Sequence, residues 1–250
     1  MKNLNDLLIN ITTLYKQKVF GKFLQEIGKN DFFSYSKNTY FILNDESQLI
    51  ILYSTYLSIK YIYKDVDLTV LNFLNESNLN INCFNDKNIK FIKMNKKESD
   101  FKNILEFLKF KKLNIKNLSF ILPDIFDEEI TYIMYKILHK GKLEALKPIE
   151  RHARYFIFRP ALLLKKRDLT SICHKYDLKV ELFNSFSFKD MNKEELFDVN
   201  KLICKIKESQ NQADSNIYDA VNNVILDKVI SYKKNGKFHS FEDIYKSLKK

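Results

Sequence analysis

The sequence contains no tryptophan and, among 250 residues, only three prolines, four glycines and three cysteines. Cys83, Cys173 and Cys204 are odd in number and widely spaced, which argues against a disulfide framework. They suit a reducing compartment, so a cytoplasmic location is expected. No window approaches 18 uncharged apolar residues, so no membrane span is expected. The opening Met1-Lys2-Asn3-Leu4-Asn5-Asp6 does not read as a signal peptide: Asp6 interrupts it and no small-residue cleavage site follows. Internal repeats and low-complexity linkers are also missing. Scarce Gly and Pro beside abundant Lys, Asn, Ile, Tyr and Phe is the bias of an AT-rich coding sequence. That bias generates lysine, so the net charge of +11 is by itself weak evidence for a nucleic-acid partner.

What is present is ordinary for a folded domain, with 45% hydrophobic and 29% charged residues. The length allows one large core with a small appended lobe. Apolar spacing predicts a helix over residues 4–27 and a buried strand over 39–43. A helix that is apolar nearly all round follows over 48–63. Strands are predicted at 66–71 and 89–93, with an Asn-rich segment of undetermined structure at 72–88. Next come a helix at 101–111, a strand at 118–122 stopped by Pro123, and a helix at 127–138 ended by Gly141. A strand at 155–159 is stopped by Pro160, and a helix covers 167–176. Beyond Asn184 only helices are predicted, at 193–207, 217–232 and 241–248. Alternating strands and helices imply an α/β fold with a Rossmann-like parallel sheet of about five strands, helices on both faces, an N-terminal helix and a C-terminal helical tail. The corresponding divisions are residues 1–30, 31–183 and 184–250.

In an open parallel sheet, ligands bind at the carboxyl ends of the strands. The sequence after Leu43, Leu122 and Arg159 resembles the PP-loop ATP pyrophosphatases, and within them the tRNA 2-thiocytidine synthetases. The best-matching stretch is 118–180, LSFILPDIFDEEITYIMYKILHKGKLEAL followed by RHARYFIFRPALLLKKRDLTSICHKYDLKV. Asp127-Glu128 falls on the family's Asp-Asp and Gly141-Lys142-Leu143 on its Gly-Lys turn. Arg159-Pro160-Ala161 falls on its Arg-Pro-Leu. NIYDAVNNVILD, from Asn216, resembles the family's closing helix. The resemblance covers most of the chain. It implies an adenine nucleotide alpha hydrolase-like fold, ATP with magnesium as cofactor, and a tRNA substrate that receives sulfur.

The departures fall on the chemistry. The family's Ser-Gly-Gly-x-Asp-Ser loop wraps backbone N–H groups around pyrophosphate at a helix N-terminus. Here Asn44-Asp45-Glu46-Ser47 is two residues shorter and has no glycine, and its two acids oppose polyphosphate. The alternative is an ordinary capped helix start. Asp124-Ile125 replaces the family's His-His. Asp127 and Glu128 are the catalytic candidates, with capping of a first helical turn as the alternative. The cluster-binding cysteines of the thiocytidine synthetases have no counterpart, so no iron–sulfur cluster and no other metal site is expected. Lys140, Lys142, Lys147, Arg151, His152, Arg154, Arg159, Lys165, Lys166 and Arg167 lie within 28 residues and include four of the scarce arginines. Lys140, Lys142, Lys147, Arg151, Arg154, Arg159, Lys166 and Arg167 are the nucleic-acid candidates, because guanidinium groups bind phosphate bidentately. A solvated basic surface is the alternative, as is an internal pairing of Arg159 with Asp124 or Asp127. Tyr155 and Phe158 are candidate stacking faces. The expected function is a tRNA-modification-related, RNA-binding protein that has lost ATP-driven thiolation. The alternatives are an active ATP-dependent tRNA sulfurtransferase with a remodelled site and a non-catalytic protein-binding subunit. A protein partner or homodimer fits either.

Overall fold

A computed structural model describes residues 16–30, 38–62, 67–74, 89–95, 101–111, 118–174, 178–225, 231–234 and 236–240. The central sheet has six strands: β1 (Asn38–Leu43), β2 (Asp67–Asn72), β3 (Ile89–Lys93), β4 (Leu118–Ile121), β5 (Ile149–Arg151) and β6 (Tyr155–Phe158). Their order is β3-β2-β1-β4-β6-β5. All neighbours run parallel except β5, which pairs antiparallel with β6. The doubly wound arrangement follows from the predicted alternation. The antiparallel edge does not, because β5 is a three-residue strand with no pattern of its own.

Helices cover both faces. They are α1 (Gly21–Asn30), α2 (Gln48–Ile62), α3 (Phe101–Phe110), α4 (Phe126–Lys140), α5 (Lys166–Cys173), α6 (Lys193–Ser209) and α7 (Ala213–Asn222). Strand alternation divides the interior in two. Phe41 and Leu43 of β1 face a larger core shared with α1, α2, α4, α5 and α6. Tyr40 and Ile42 face a smaller one under α3. α2, the first crossover, is buried almost all round. Its Ser54, Thr55 and Ser58 hydroxyls donate to the carbonyls one turn back, so they add no unsatisfied polar group.

Two expectations change. A π-helical turn (Lys16–Phe20) precedes α1, and residues 4–15 of the predicted first helix lie outside the described residues. The predicted 217–232 helix is shorter: α7 stops at Asn222 and a hairpin of β7 (Ser231–Lys234) and β8 (Lys237–Ser240) follows. Its turn carries Gly236 at φ 79, the Asn-Gly signature of a tight hairpin, which outweighs helical spacing. The predicted 241–248 helix and most of the 72–88 segment lie outside the described residues. No described helix is long and apolar enough to cross a membrane.

Gly141 ends α4 in the left-handed region (φ 61). Its N–H donates to Ile137 O, and the Lys142 N–H to Lys136 O. Gly141→Ala should therefore lower the free energy of unfolding by about 1 kcal/mol, read from urea denaturation. Unchanged stability would mean that the chain does not turn left-handed there.

Candidate functional site

β1 lies between β2, which the chain reaches through α2, and β4, which it reaches much later. The crevice at the carboxyl ends of β1 and β4 is therefore the topological switch point, where this architecture holds ligands. Asn44–Ser47 leaves β1 there. The Asn44 and Asp45 N–H groups both donate to Gln48 Oε1, at 2.8 and 3.2 Å. The Ser47 N–H and hydroxyl both donate to Asp45 Oδ1, at 2.8 and 2.5 Å. Three amides that a phosphate loop would turn toward its ligand are thus bonded within the turn. The Asp45 carboxylate thus closes the turn just ahead of α2, and its carbonyl accepts the Gln48 N–H.

Beside this turn is a cavity of about 470 Å³, lined by Asn44 and Asp45, by Phe73 beyond β2, and by residues of the 181–193 segment. Burial pushes the Asp45 carboxyl up against the pull of its Ser47 hydrogen bonds, and the Glu181 charge adds to the push. Asn184 donates to Glu181 Oε2 and accepts from Lys193 Nζ. The cavity wall near the turn is therefore acidic, with Lys189 and Lys193 as its cations.

The second strand end, after β4, leads into a buried group of charges. Arg159, 3% exposed, donates from Nε to Asp124 Oδ2 (2.8 Å) and from Nη1 to Lys147 O (2.8 Å) and Glu150 Oε2 (3.1 Å). The Ser187 hydroxyl donates to the same Asp124 oxygen at 2.5 Å. Glu128 accepts the Ile125 N–H on one oxygen and the Phe183 N–H on the other. Burial pushes Glu128 upward, helped by the Asp124 and Asp127 charges and opposed by those two N–H groups. Glu129 is pushed up to about 8 by burial and by Asp124, against the pull of Arg159 and the Leu146 N–H. One of its oxygens, Oε2, is buried without a hydrogen bond, which costs less for a protonated carboxyl than for a carboxylate. Asp127 Oδ2 accepts the Lys166 N–H at 2.6 Å and so caps α5. Both catalytic candidates, Asp127 and Glu128, hold backbone amides.

The basic stretch is not one surface. Arg159 is a correction: it is buried in the ion pair with Asp124 and offers no contact to a nucleic acid. Lys165 is held by Asp214, whose carboxyl burial would raise but the Lys165, Lys207 and Ser215 hydrogen bonds draw down to about 2. α4 opens behind β4 and its 15 residues run back along the strands for about 22 Å. Lys140 and Lys142 therefore lie at the amino edge of the sheet, not at the carboxyl rim, where their nearness to Arg159 in sequence suggested. Arg151 pairs with Phe156 while Ile149 pairs with Phe158, so the 152–154 turn is at the amino edge too. The Arg151 guanidinium stands over the Phe156 ring at 5.9 Å. Lys140, Lys142, Arg151 and Arg154 are all exposed. Lys166 and Arg167 open α5 at the opposite, carboxyl edge, and Lys147 lies beside the Arg159 pair. Of the two stacking candidates, Phe158 is core (0% exposed), and Tyr155 lines a second cavity together with His152 and Glu150. Glu150 is missed by sequence reasoning, since nothing marks a lone Glu in a loop-like segment as the partner of a distant arginine.

Two outcomes test this charge arrangement. Arg159→Ala should destabilise the fold by about 3–5 kcal/mol in urea unfolding, because it leaves Asp124 buried and unpaired; a loss below 1 kcal/mol would contradict the buried pair. Glu128 and Glu129 bind protons in the folded state that the unfolded chain releases. Their contribution is full below the unfolded carboxyl pKa near 4.5 and is lost as pH rises through about 8. Unfolding free energy should fall across that window, by up to about 1.4 kcal/mol per pH unit for each group. Glu129→Gln should flatten the slope and stabilise the protein at about pH 8; an unchanged slope would remove Glu129 from this role.

No protein-family model matches the sequence, and no curated protein matches it. Among solved structures, the U34-tRNA thiolase NcsA from Methanococcus maripaludis, determined with its [4Fe-4S] cluster, superposes with a TM-score of 0.53 at 11% identity. The match covers 81% of this chain and 77% of that one. FMN adenylyltransferase from Candida glabrata, in complex with FMN and the ATP analog AMPCPP, reaches a TM-score of 0.38 at 12% identity over 61% of this chain and 55% of that one, too low to carry an argument. The chain thus shares the Rossmann-like α/β fold of that thiolase.

Proposed function

We propose that this chain is a tRNA-modification-related protein of PP-loop type that binds RNA and does not use ATP at its β1 turn. The observation that carries this reading is the self-satisfied turn: Gln48 and Asp45 side chains occupy the amides of Asn44, Asp45 and Ser47. RNA is held by the exposed cations of the amino edge, Lys140, Lys142, Arg151 and Arg154. These include two of the four arginines in the sequence. Among the described residues, the thiolase's cluster has no fitting donors. Burial pushes the Cys173 thiol up to about 12, Cys204 is exposed on α6, and no three potential ligand side chains converge among the described residues. A second reading, an active ATP-dependent tRNA sulfurtransferase of 2-thiocytidine type, is favoured by one feature, the 470 Å³ cavity at the switch point.

Titration with MgATP and with tRNA separates the two. The first reading expects no heat from MgATP and tRNA binding that weakens steeply as salt rises from about 50 to 200 mM. Arg151→Ala with Arg154→Ala should lower the salt slope by about two units. MgATP affinity that disappears in Ser47→Ala would replace this reading with the enzyme. A wild-type protein that binds no RNA at about 50 mM salt would end the RNA reading and leave a protein partner.

A further inference from the structure

A cavity of about 240 Å³ is lined by Glu150 of β5, Tyr155 and Ile157 of β6, Phe101 of α3 and Tyr132 of α4, with residues 145–147 adding to its wall. Three of the aromatic rings in its wall form a stack. Tyr155 stacks on Phe101 with centroids 5.3 Å apart and planes at 21°, and on His152 at 4.6 Å and 19°. His152 keeps 36% of its side chain exposed, so a further flat ring can continue the ladder. Hydrogen-bonding groups surround the same space. Glu150 is held on one oxygen by buried Arg159, and its other oxygen lies 3.2 Å from His152 Nε2. That separation is within ion-pair range, yet His152 Nε2 is buried without a hydrogen bond. Ser187, whose hydroxyl is bonded to Asp124, also lines the cavity. The wall thus mixes aromatic faces with polar and charged groups in comparable measure, and the volume suits one heteroaromatic ring system better than a whole nucleotide.

We propose that this cavity binds a single nucleobase, stacked on His152 and hydrogen-bonded along its edge by Glu150 and Ser187. Lys147 lines the cavity and Arg154 immediately precedes Tyr155, so cations stand beside it for the phosphates flanking an unstacked base. Single-stranded RNA is recognised in this way, by splayed bases on aromatic faces with polar contacts along their edges. The ring site stands on its own geometry; only its assignment to a base within RNA rests on the RNA-binding reading above. The opposite-charged pair Glu150–Arg159 and the aromatic faces disfavour free polyphosphate, and the cavity is separate from the β1 turn.

Two measurements test it. Adenosine and cytidine are titrated while the His152 ring protons, assigned by their loss in His152→Ala, are followed by NMR. An upfield shift is expected; no shift up to the solubility of either nucleoside overturns the proposal. A single-stranded RNA carrying 2-aminopurine is then bound to the protein. Wild type should quench its fluorescence, His152→Ala should lose the quenching and bind about tenfold more weakly with the same salt slope, and His152→Phe should restore both. Full affinity and full quenching in His152→Ala overturn the proposal. Nucleosides that shift His152 while no RNA binds leave the ring site intact as one for a free nucleoside, and end the RNA reading instead.

Discussion

The carboxyl edge of this fold is organised by one buried cation. The Arg159 guanidinium draws together Asp124 from the end of β4, the Lys147 carbonyl and Glu150 from the edge strand, and through Asp124 the Ser187 hydroxyl of the covering segment. Each of these groups would carry a desolvation cost alone, and the planar fork of an arginine can reach several of them at once in fixed geometry. A lysine at this position could not satisfy the same set. Three more carboxyls, Glu128, Glu129 and Asp168, are buried nearby or in the adjoining helix, and Asp168 has its own cation in Lys22. Around Arg159 the acids outnumber the base, and burial together with the Asp124 charge pushes the Glu128 and Glu129 carboxyls upward.

That arrangement determines what lies over the switch point. The segment 182–193 is fastened at three places: the Phe183 N–H on Glu128, Ser187 on Asp124, and Phe186 between Phe73 and Phe101. Phe183 takes a positive φ of 62, an unusual backbone for a bulky residue, and is held there by its N–H bond and by burial against Phe188 and Phe197. Asn184 extends the attachment to Glu181 beside the β1 turn. The turn itself directs its amides to its own side chains. Fold and local chemistry therefore diverge: the doubly wound sheet opens its ligand crevice here, while the turn at that crevice bonds its own amides.

The remaining charge is placed away from this edge. α4 and the β5–β6 hairpin carry Lys140, Lys142, Arg151 and Arg154 to the amino edge, and the aromatic cavity is lined by β5 and β6 together with Phe101 of α3 and Tyr132 of α4. The proposed RNA contact rests on this placement of exposed cations near a stacked aromatic wall, because the phosphates and the bases of a single strand point in different directions.

Residue order alone determined the doubly wound class. Runs such as Thr39–Leu43 and Leu118–Leu122 can only be buried strands, and the helices between them are long and periodic enough to be crossovers. It also determined what the β1 turn lacks, since backbone amides cannot wrap a phosphate without glycine's freedom. The hairpin after α7 was legible in Asn235-Gly236 and was obscured by helical spacing before it. Tertiary structure decided the rest. Arg159 and Arg151 look alike in sequence, yet one follows a central strand and is drawn inside by Asp124, while the other sits on an edge strand facing solvent. Glu128 reads in sequence as a catalytic or capping acid of a first helical turn, and only the tertiary packing buries it and Glu129 and raises their pKa. The basic stretch was continuous along the chain but not in space, because helix and strand reverse direction between Lys140 and Arg159, and charge follows the backbone's path rather than its sequence distance.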